Sequence, residues 1–441
     1  MTTNRIVPFA LLAAASVLAA VLPHTPPVTV GGPVNSGDVA WMLTATGLVL
    51  LMTPGLSFFY GGMVRPKNVI STMLQSFMAM GLITVLWLIV GFSLAFGEDI
   101  GGIIGDPRTF FMFNRVGGPT HPALAPTIPL VVFALFQLKF AIITPALITG
   151  SFAERVRFSS CLLFMCLFSL FIYTPLAHMT WHPQGMFRQW GVLDFAGGTV
   201  VHLSAGCAAF VGALVLGRRK SHLASQTDAP ANIPFVILGT GMLWFGWFGF
   251  NAGSALAANE QAAMAFAATN TASASAALAW VAFDVLRGRQ ASAMGACVGA
   301  VVGLVAITPA AGYVDLGPSM LIGTVAAVIS NLVVHWKNAR ALDDTLDVFP
   351  CHGVGGMTGM IFTAIFAHEV GLVNGHVRTL FVHLAALAIA TGFSCLGAYV
   401  LYKVTDAIIP LRVSVDQEDL GLDLSQHGET ILSTAPLDGL V

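Results

Sequence analysis

The sequence predicts an all-α integral membrane protein of about eleven transmembrane helices, arranged as an inverted five-plus-five repeat with a final helix. Three observations predict it: a low content of charge, eleven apolar runs of spanning length, and a motif that recurs at the same place in two halves. Charged residues make up 9% of the 441 residues and hydrophobic residues 56%, with a mean hydropathy of +0.82. Water-facing domains carry roughly 25% charge, so the outside of this chain must face lipid. A net charge of −2 gives no reason to expect nucleic acid or another polyanion as a partner. The cysteines (Cys161, Cys166, Cys207, Cys297, Cys351 and Cys395) are scattered, with no CxxC pair. They read as small buried apolar residues rather than a disulfide framework or zinc centre.

Residues 1–23 carry one basic residue, Arg5, before a short apolar stretch. That is the shape of a secretory signal with cleavage options near Ala19 and Ala20; an uncleaved extra helix is the alternative. Apolar runs then fall near 39–63, 71–96, 128–150, 158–177, 195–217, 232–253, 262–286, 293–309, 317–336, 349–367 and 378–403. Each is about twenty residues, long enough to cross a ~30 Å hydrocarbon core. The membrane domain is therefore expected over 38–404, followed by a polar tail over 405–441.

Lys and Arg set the orientation. The loops after spans one, three, five, seven and nine hold Arg65, Lys67, Arg155, Arg157, Arg218, Arg219, Lys220, Arg287, Arg289, Lys337 and Arg340. The alternate loops hold only Arg108, Arg115, Arg188 and Arg378. The positive-inside bias places the mature N-terminus outside and the C-terminus in the cytoplasm.

The repeat lies in the polar residues. Asp194 precedes His202 by eight positions at the start of the fifth span, and Asp344 precedes His352 by eight at the start of the tenth. Both histidines sit among glycines. Because each half holds five spans, the second must enter the membrane from the opposite side, and sites in such inverted repeats lie near the midplane. Ionisable residues inside spans usually face a cavity or a polar partner, and two-fold related histidines are placed to meet at the pseudo-axis. No Cys, Asp or Glu is spaced to complete a metal site with them.

Three segments resemble the signatures of the ammonium transporter family (Amt/Mep, with the Rh proteins as relatives), bacterial Amt type. They are Asp194-Phe195-Ala196-Gly197-Gly198-Thr199-Val200-Val201-His202, Trp247-Phe248-Gly249-Phe250-Asn251-Ala252-Gly253-Ser254, and Asp347-Val348-Phe349-Pro350-Cys351-His352-Gly353-Val354-Gly355-Gly356. The resemblance runs from the first span to the tail, and it implies a multi-pass protein of a bacterial-type plasma membrane. It implies twin pore histidines at His202 and His352 and an outer aromatic site of Phe140, Trp181 and Phe250. It also implies Ser254 as hydrogen-bond acceptor for the ion, Phe136 and Trp247 along the pore, and Asp194 beneath the outer site. The family assembles as trimers with one pore per subunit. Its tail, similar here at Leu411-Arg412-Val413, Asp416-Gln417-Glu418-Asp419-Leu420-Gly421-Leu422-Asp423 and His427-Gly428-Glu429, docks on neighbouring subunits and on a PII-type signalling protein.

Elementary chemistry fits these assignments. Aromatic faces attract a cation by roughly 0.5–2 kcal/mol, enough to recruit ammonium and too little to carry a bare ion across hydrocarbon. Desolvation lowers the pKa of a buried ammonium, so a neutral histidine accepts its proton and uncharged ammonia passes. Potassium has no proton to give up. Asp194 also begins a helix and serves as its N-cap. Lys139, between Phe136 and Phe140 on the chain, departs from the family pattern. It points roughly 100° from Phe140 and is expected to face another helix and pair with a carboxylate or carbonyl. No nucleophile or cofactor motif suggests an enzyme, and the competing reading is an ammonium sensor of the same fold.

Overall fold

The computed structural model describes residues 3–23, 25–26, 30–224, 229–340 and 342–431. All eleven predicted runs are helical. The helices are α1 (Thr3–Val21), α2 (Ser36–Met63), α3 (Val69–Leu86 continuing through Trp87–Gly91 to Phe92–Phe96) and α4 (Leu130–Ile148). Next come α5 (Phe158–Phe168 continuing through Ser169–Tyr173 to Thr174–Trp181) and α6 (Gly198–Leu203 continuing into Ser204–Leu216). The second half holds α7 (Ile233–Gly253), α8 (Glu260–Leu286), α9 (Ala293–Ile307), α10 (Leu316–Asn338) and α11 (Phe349–Val354 continuing into Gly355–Phe366). Helix α12 (Val377–Ile408) is last. Two short antiparallel hairpins, Asp99–Ile100 with Ile104–Gly105 and Thr120–His121 with Ala125–Pro129, ornament the long loop between α3 and α4.

Nine of the described helices are long and apolar enough to cross a membrane; α8 and α9 are not among them. Their composition has a physical reason. Helix α9 has only fifteen residues and is buried along most of its length, so protein rather than lipid surrounds it. Helix α8 is rich in Ala, Ser and Thr and packs on α9 and α10. Helix α1 is an additional helix over the expected signal segment, with most of its side chains from Ile6 onward exposed.

The two halves meet where the repeat requires. First helices α2 and α7 cross backbone to backbone, for a Cβ on Gly239 would stand 2.3 Å from the Phe59 amide nitrogen. Fifth helices α6 and α11 do the same, for a Cβ on Gly206 would stand 2.2 Å from the Gly353 nitrogen. Small residues at such crossings let membrane helices approach closely and gain van der Waals contact.

Four of the five basic loops are held together by buried ion pairs and hydrogen bonds. Arg219 grips the Asp343 carboxylate with two nitrogens at 3.0 Å each and reaches Glu154 at 2.9 Å. Arg65 holds the same Glu154 at 2.8 Å. Fully buried Arg155 donates to the Ser151 and Asp343 carbonyls at 3.1 and 2.6 Å. Loops that follow α2, α4, α6 and α10 are thereby tied into one plate.

The tail folds back on this plate. Arg412 bonds Glu418 at 2.8 Å, and Glu418 accepts the Lys220 amide at 2.7 Å. Asp423 accepts the amides of Ile70 and Ser71 at 3.0 and 2.8 Å, capping α3 from the far end of the chain. The His427 ring stands edge-on to Phe158 at 4.8 Å. Positions 432–441 of the expected tail lie outside the described residues.

Burial pushes the Asp343 carboxyl up, but Arg155 and Arg219 outweigh it and hold it at about 2, below the usual 3.8. A depressed carboxyl stabilises the fold above its unfolded value and ceases to do so as pH falls through its folded value. Unfolding followed by intrinsic fluorescence is therefore expected to show a stability loss between about pH 4 and pH 2. Asp343→Asn, which leaves Arg219 and Arg155 underpaired, is expected to remove that step and to destabilise by about 3–5 kcal/mol at neutral pH.

Candidate functional site

Two helices begin inside the protein, and both begin on an aspartate. Asp194 Oδ1 accepts the amides of Gly197 and Gly198 at 2.8 and 2.7 Å, while Oδ2 accepts the Thr199 amide at 2.7 Å and the Thr199 hydroxyl. At α11, Asp344 accepts the amides of Val348 and Phe349 at 3.2 and 2.8 Å. The first turns of α6 and α11, Gly198–Leu203 and Phe349–Val354, are both π-helical. Such turns are rare and frequent at functional sites. No feature of composition or spacing announces them.

Each π turn carries one of the paired histidines. His202 Nδ1 and His352 Nδ1 lie 3.3 Å apart, with ring centroids 5.3 Å apart and planes 25° from parallel. Both rings are buried. With both neutral, one Nδ1 donates to the other. The donor's Nε2 then holds a free lone pair and the acceptor's Nε2 a hydrogen. His202 Nε2 is buried without a hydrogen-bond partner. The Trp247 ring stacks beside His202 at 5.3 Å and is anchored through its indole N–H to Thr308 Oγ1 at 2.9 Å.

These groups border a narrow cavity of about 10 Å³, otherwise lined by Met52, Leu56, Phe59, Ile143, Leu147, Val201, Leu243, Phe250 and Val301. That is space for about one water-sized molecule. Above it, Phe140 and Phe250 stack at 4.1 Å and close the way, with Phe136 edge-on to Phe140 at 5.0 Å. Beyond the stack opens a vestibule of about 620 Å³ lined by Phe140, Trp181, Asp194 and Ser254, among others. Trp181 stands edge-on to Phe140 at 5.7 Å and donates its indole N–H to the Asp194 carbonyl at 3.1 Å. Ser254 donates to the Phe250 carbonyl at 2.9 Å, which leaves its oxygen lone pairs toward the vestibule.

Eight of the nine sequence-derived site residues thus line the vestibule or the passage, and the ninth, Phe136, packs behind Phe140 and borders neither cavity. Lys139 does point away from the passage and borders neither cavity. The expected partner is absent, for no hydrogen bond or ion pair reaches Lys139 among the described residues. It sits half-buried on the stripe of α4 shared with Val131 and Leu135, the one face of that helix that its neighbours leave partly open. Sequence reasoning missed Gln137, Arg188, Gln261 and Tyr313 in the vestibule wall and Thr308 behind Trp247. Only Gln137 had a signal, as the polar residue beside Phe136. Its Oε1 is buried without a partner.

An all-helical bundle with an inverted repeat and a histidine-lined passage behind an aromatic stack defines a multi-pass membrane transport protein. Residues 40–431 match the Ammonium Transporter Family, and the chain belongs to that family. The ammonium transporter of Aquifex aeolicus is 44% identical over 402 residues, covering 90% of this chain and 93% of that protein. The crystal structure of Saccharomyces cerevisiae Mep2 superposes with a TM-score of 0.82 at 33% identity, over 87% of this chain and 89% of that one. A solved "Sensor Amt Protein" does so at 0.82 and 28% identity, over 89% and 98%.

Replacing Asp194 by Ala strips the acceptors from three buried amides. The expected loss of stability is about 3 kcal/mol or more. Asp194→Asn, which keeps part of the cap, is expected to lose less; thermal unfolding in detergent orders the two.

Proposed function

We propose that this chain transports ammonium by stripping and deprotonating it, and that the observation carrying this reading is the His202–His352 pair in a passage closed to ions. The vestibule gathers the cation. Phe140, Trp181 and Phe250 offer π faces, and Ser254 offers an oxygen. The Asp194 carboxylate is fully engaged by its own helix, so it acts on the cation through its field and by holding Trp181. At the Phe140–Phe250 stack the ion loses its water. Loss of water favours the neutral form, and an imidazole lone pair in the passage takes the proton. Ammonia then moves past Trp247 and the histidines along apolar walls.

The chain is multi-pass, and we place it in a bacterial-type plasma membrane with the vestibule outside and the plate of paired arginines in the cytoplasm. Residues 1–23 are read as a cleaved signal, 38–404 as the transport domain and 405–441 as a regulatory tail. The assembly is read as a homotrimer. Asn270, near the middle of α8, is exposed on the isolated chain. A bare amide at that depth in lipid is costly, so a second copy covering α8 is favoured. Native mass spectrometry is expected to give three chains per particle, each shortened by the signal segment. The tail's anchors on α3 and α5 lie on the face where a PII-type partner would reach the inner mouth.

Vesicles containing the purified protein and an internal pH dye test the reading. An ammonium pulse is expected to change internal pH many-fold faster than in empty vesicles. Ser254→Ala is expected to raise the ammonium concentration for half-maximal rate several-fold while leaving the maximal rate within a factor of two. Ammonium binding without any flux would overturn transport and leave the sensor reading, which the likeness to the sensor structure keeps in view.

A further inference from the structure

At the vestibule end of α5, a second group of ionisable side chains lies off the transport path. We propose that Asp99, His178 and His182 bind a divalent transition-metal ion of the zinc class. His178 and His182 are four residues apart, one in the last turn of α5 and the other at its C-cap, a separation like that of paired zinc-binding histidines. Asp99 arrives from the first hairpin, 79 positions earlier in the chain. One ligand atom from each residue lies within 4.8 Å of the others. Zinc bonds of ~2.0–2.2 Å to nitrogen and oxygen are reached from that spread once the His182 ring turns out of its stack on His178, so that both in-plane lone pairs converge on the ion.

The hydrogen bonds around His178 support the proposal. Its ring is fully buried, and Nδ1 lies 3.0 Å from the Ala95 carbonyl. A carbonyl only accepts, so Nδ1 carries the hydrogen. Metal-ligating histidines are oriented in this way by their outer partners. In the neutral ring Nε2 then bears a lone pair, and it faces Asp99 Oδ1 at 2.8 Å. Two acceptors at that distance require something positive between them, either a proton or a metal ion.

His182 decides between the two. Its ring lies against that of His178, centroids 4.3 Å apart and planes 12° from parallel. A metal needs this second nitrogen, whereas a proton shared by His178 and Asp99 does not. Joining the ion costs His182 that stack and its bond from the Gln184 amide, a long one at 3.2 Å. His182 also borders a cavity of about 390 Å³ with Glu98 and His121 on its wall. That cavity gives the ion an entry and a place for water at an open fourth position, the coordination of an exchangeable zinc. Trp181 lies between the two histidines in sequence, so the ion would clamp the hairpin to the turn that carries a vestibule aromatic.

The test is calorimetric titration of the full-length protein, without a histidine tag and stripped by chelator, with zinc chloride and with magnesium chloride as the oxygen-preferring control. One zinc per chain and no magnesium response are expected. His182→Gln and Asp99→Asn should each weaken zinc binding by about tenfold or more. Zinc should raise the thermal midpoint of the wild type and of neither variant, and both variants should keep ammonium flux. If Asp99→Asn does not fold, His182→Gln alone decides. Failure of the wild type to take up stoichiometric zinc, or equal affinity in the folded variants, overturns the site. His178 and Asp99 would then share a proton only.

Discussion

Asp194 and Asp344 each direct both carboxylate oxygens onto the amides of a helix that begins inside the protein. Lipid offers no water to satisfy such amides, and each one left bare in an apolar setting is expensive. The two caps let α6 and α11 start on buried carboxylates, one beside the vestibule and one beside the arginine plate, and the rest of the site follows from where they start. Eight residues on, the chain reaches His202 and His352, and the Gly206–Gly353 contact brings the two helices close enough for the rings to meet. A larger residue at either glycine would separate the rings.

The passage selects by closure as much as by attraction. Stacked phenylalanines and a cavity of about 10 Å³ leave no room for a hydration shell, and the apolar lining offers no replacement ligands to a dehydrated cation. The one polar feature is the imidazole pair, which handles protons. An aromatic vestibule worth roughly 0.5–2 kcal/mol to a cation serves recruitment and cannot offset the loss of its water. The chemistry that distinguishes ammonium from potassium is then the release of a proton.

Much of this was legible in the sequence because it is encoded in residue type and spacing. Low charge, apolar runs, the basic loops and the two Asp-to-His intervals of eight fix the class, the helix positions and the pairing of halves. The site residues came from motif resemblance, since one phenylalanine among 31 carries no mark of its own. What escaped was set by tertiary contact. The π turns depend on the caps and the crossing of α6 with α11, and α9 can be short because its neighbours bury it. The missing partner of Lys139 was misjudged for the same reason: helical spacing tells where a side chain points and not what the adjacent helix supplies. Gln137, Tyr313 and Arg188 reach the vestibule from three separate segments.

The central claim is that ammonium crosses only by giving up a proton at the histidine pair. Currents from purified protein on a solid-supported membrane, pulsed with ammonium and then potassium, test it most directly when wild type is compared with His202→Ala. The account predicts a response to ammonium and none to potassium in the wild type, and a response that falls or loses this selectivity in the variant. A neutral ammonia pathway would replace the current with internal alkalinisation of the same selectivity. Potassium conducted as well as ammonium by the wild type, or selectivity and flux unchanged in His202→Ala, would contradict it.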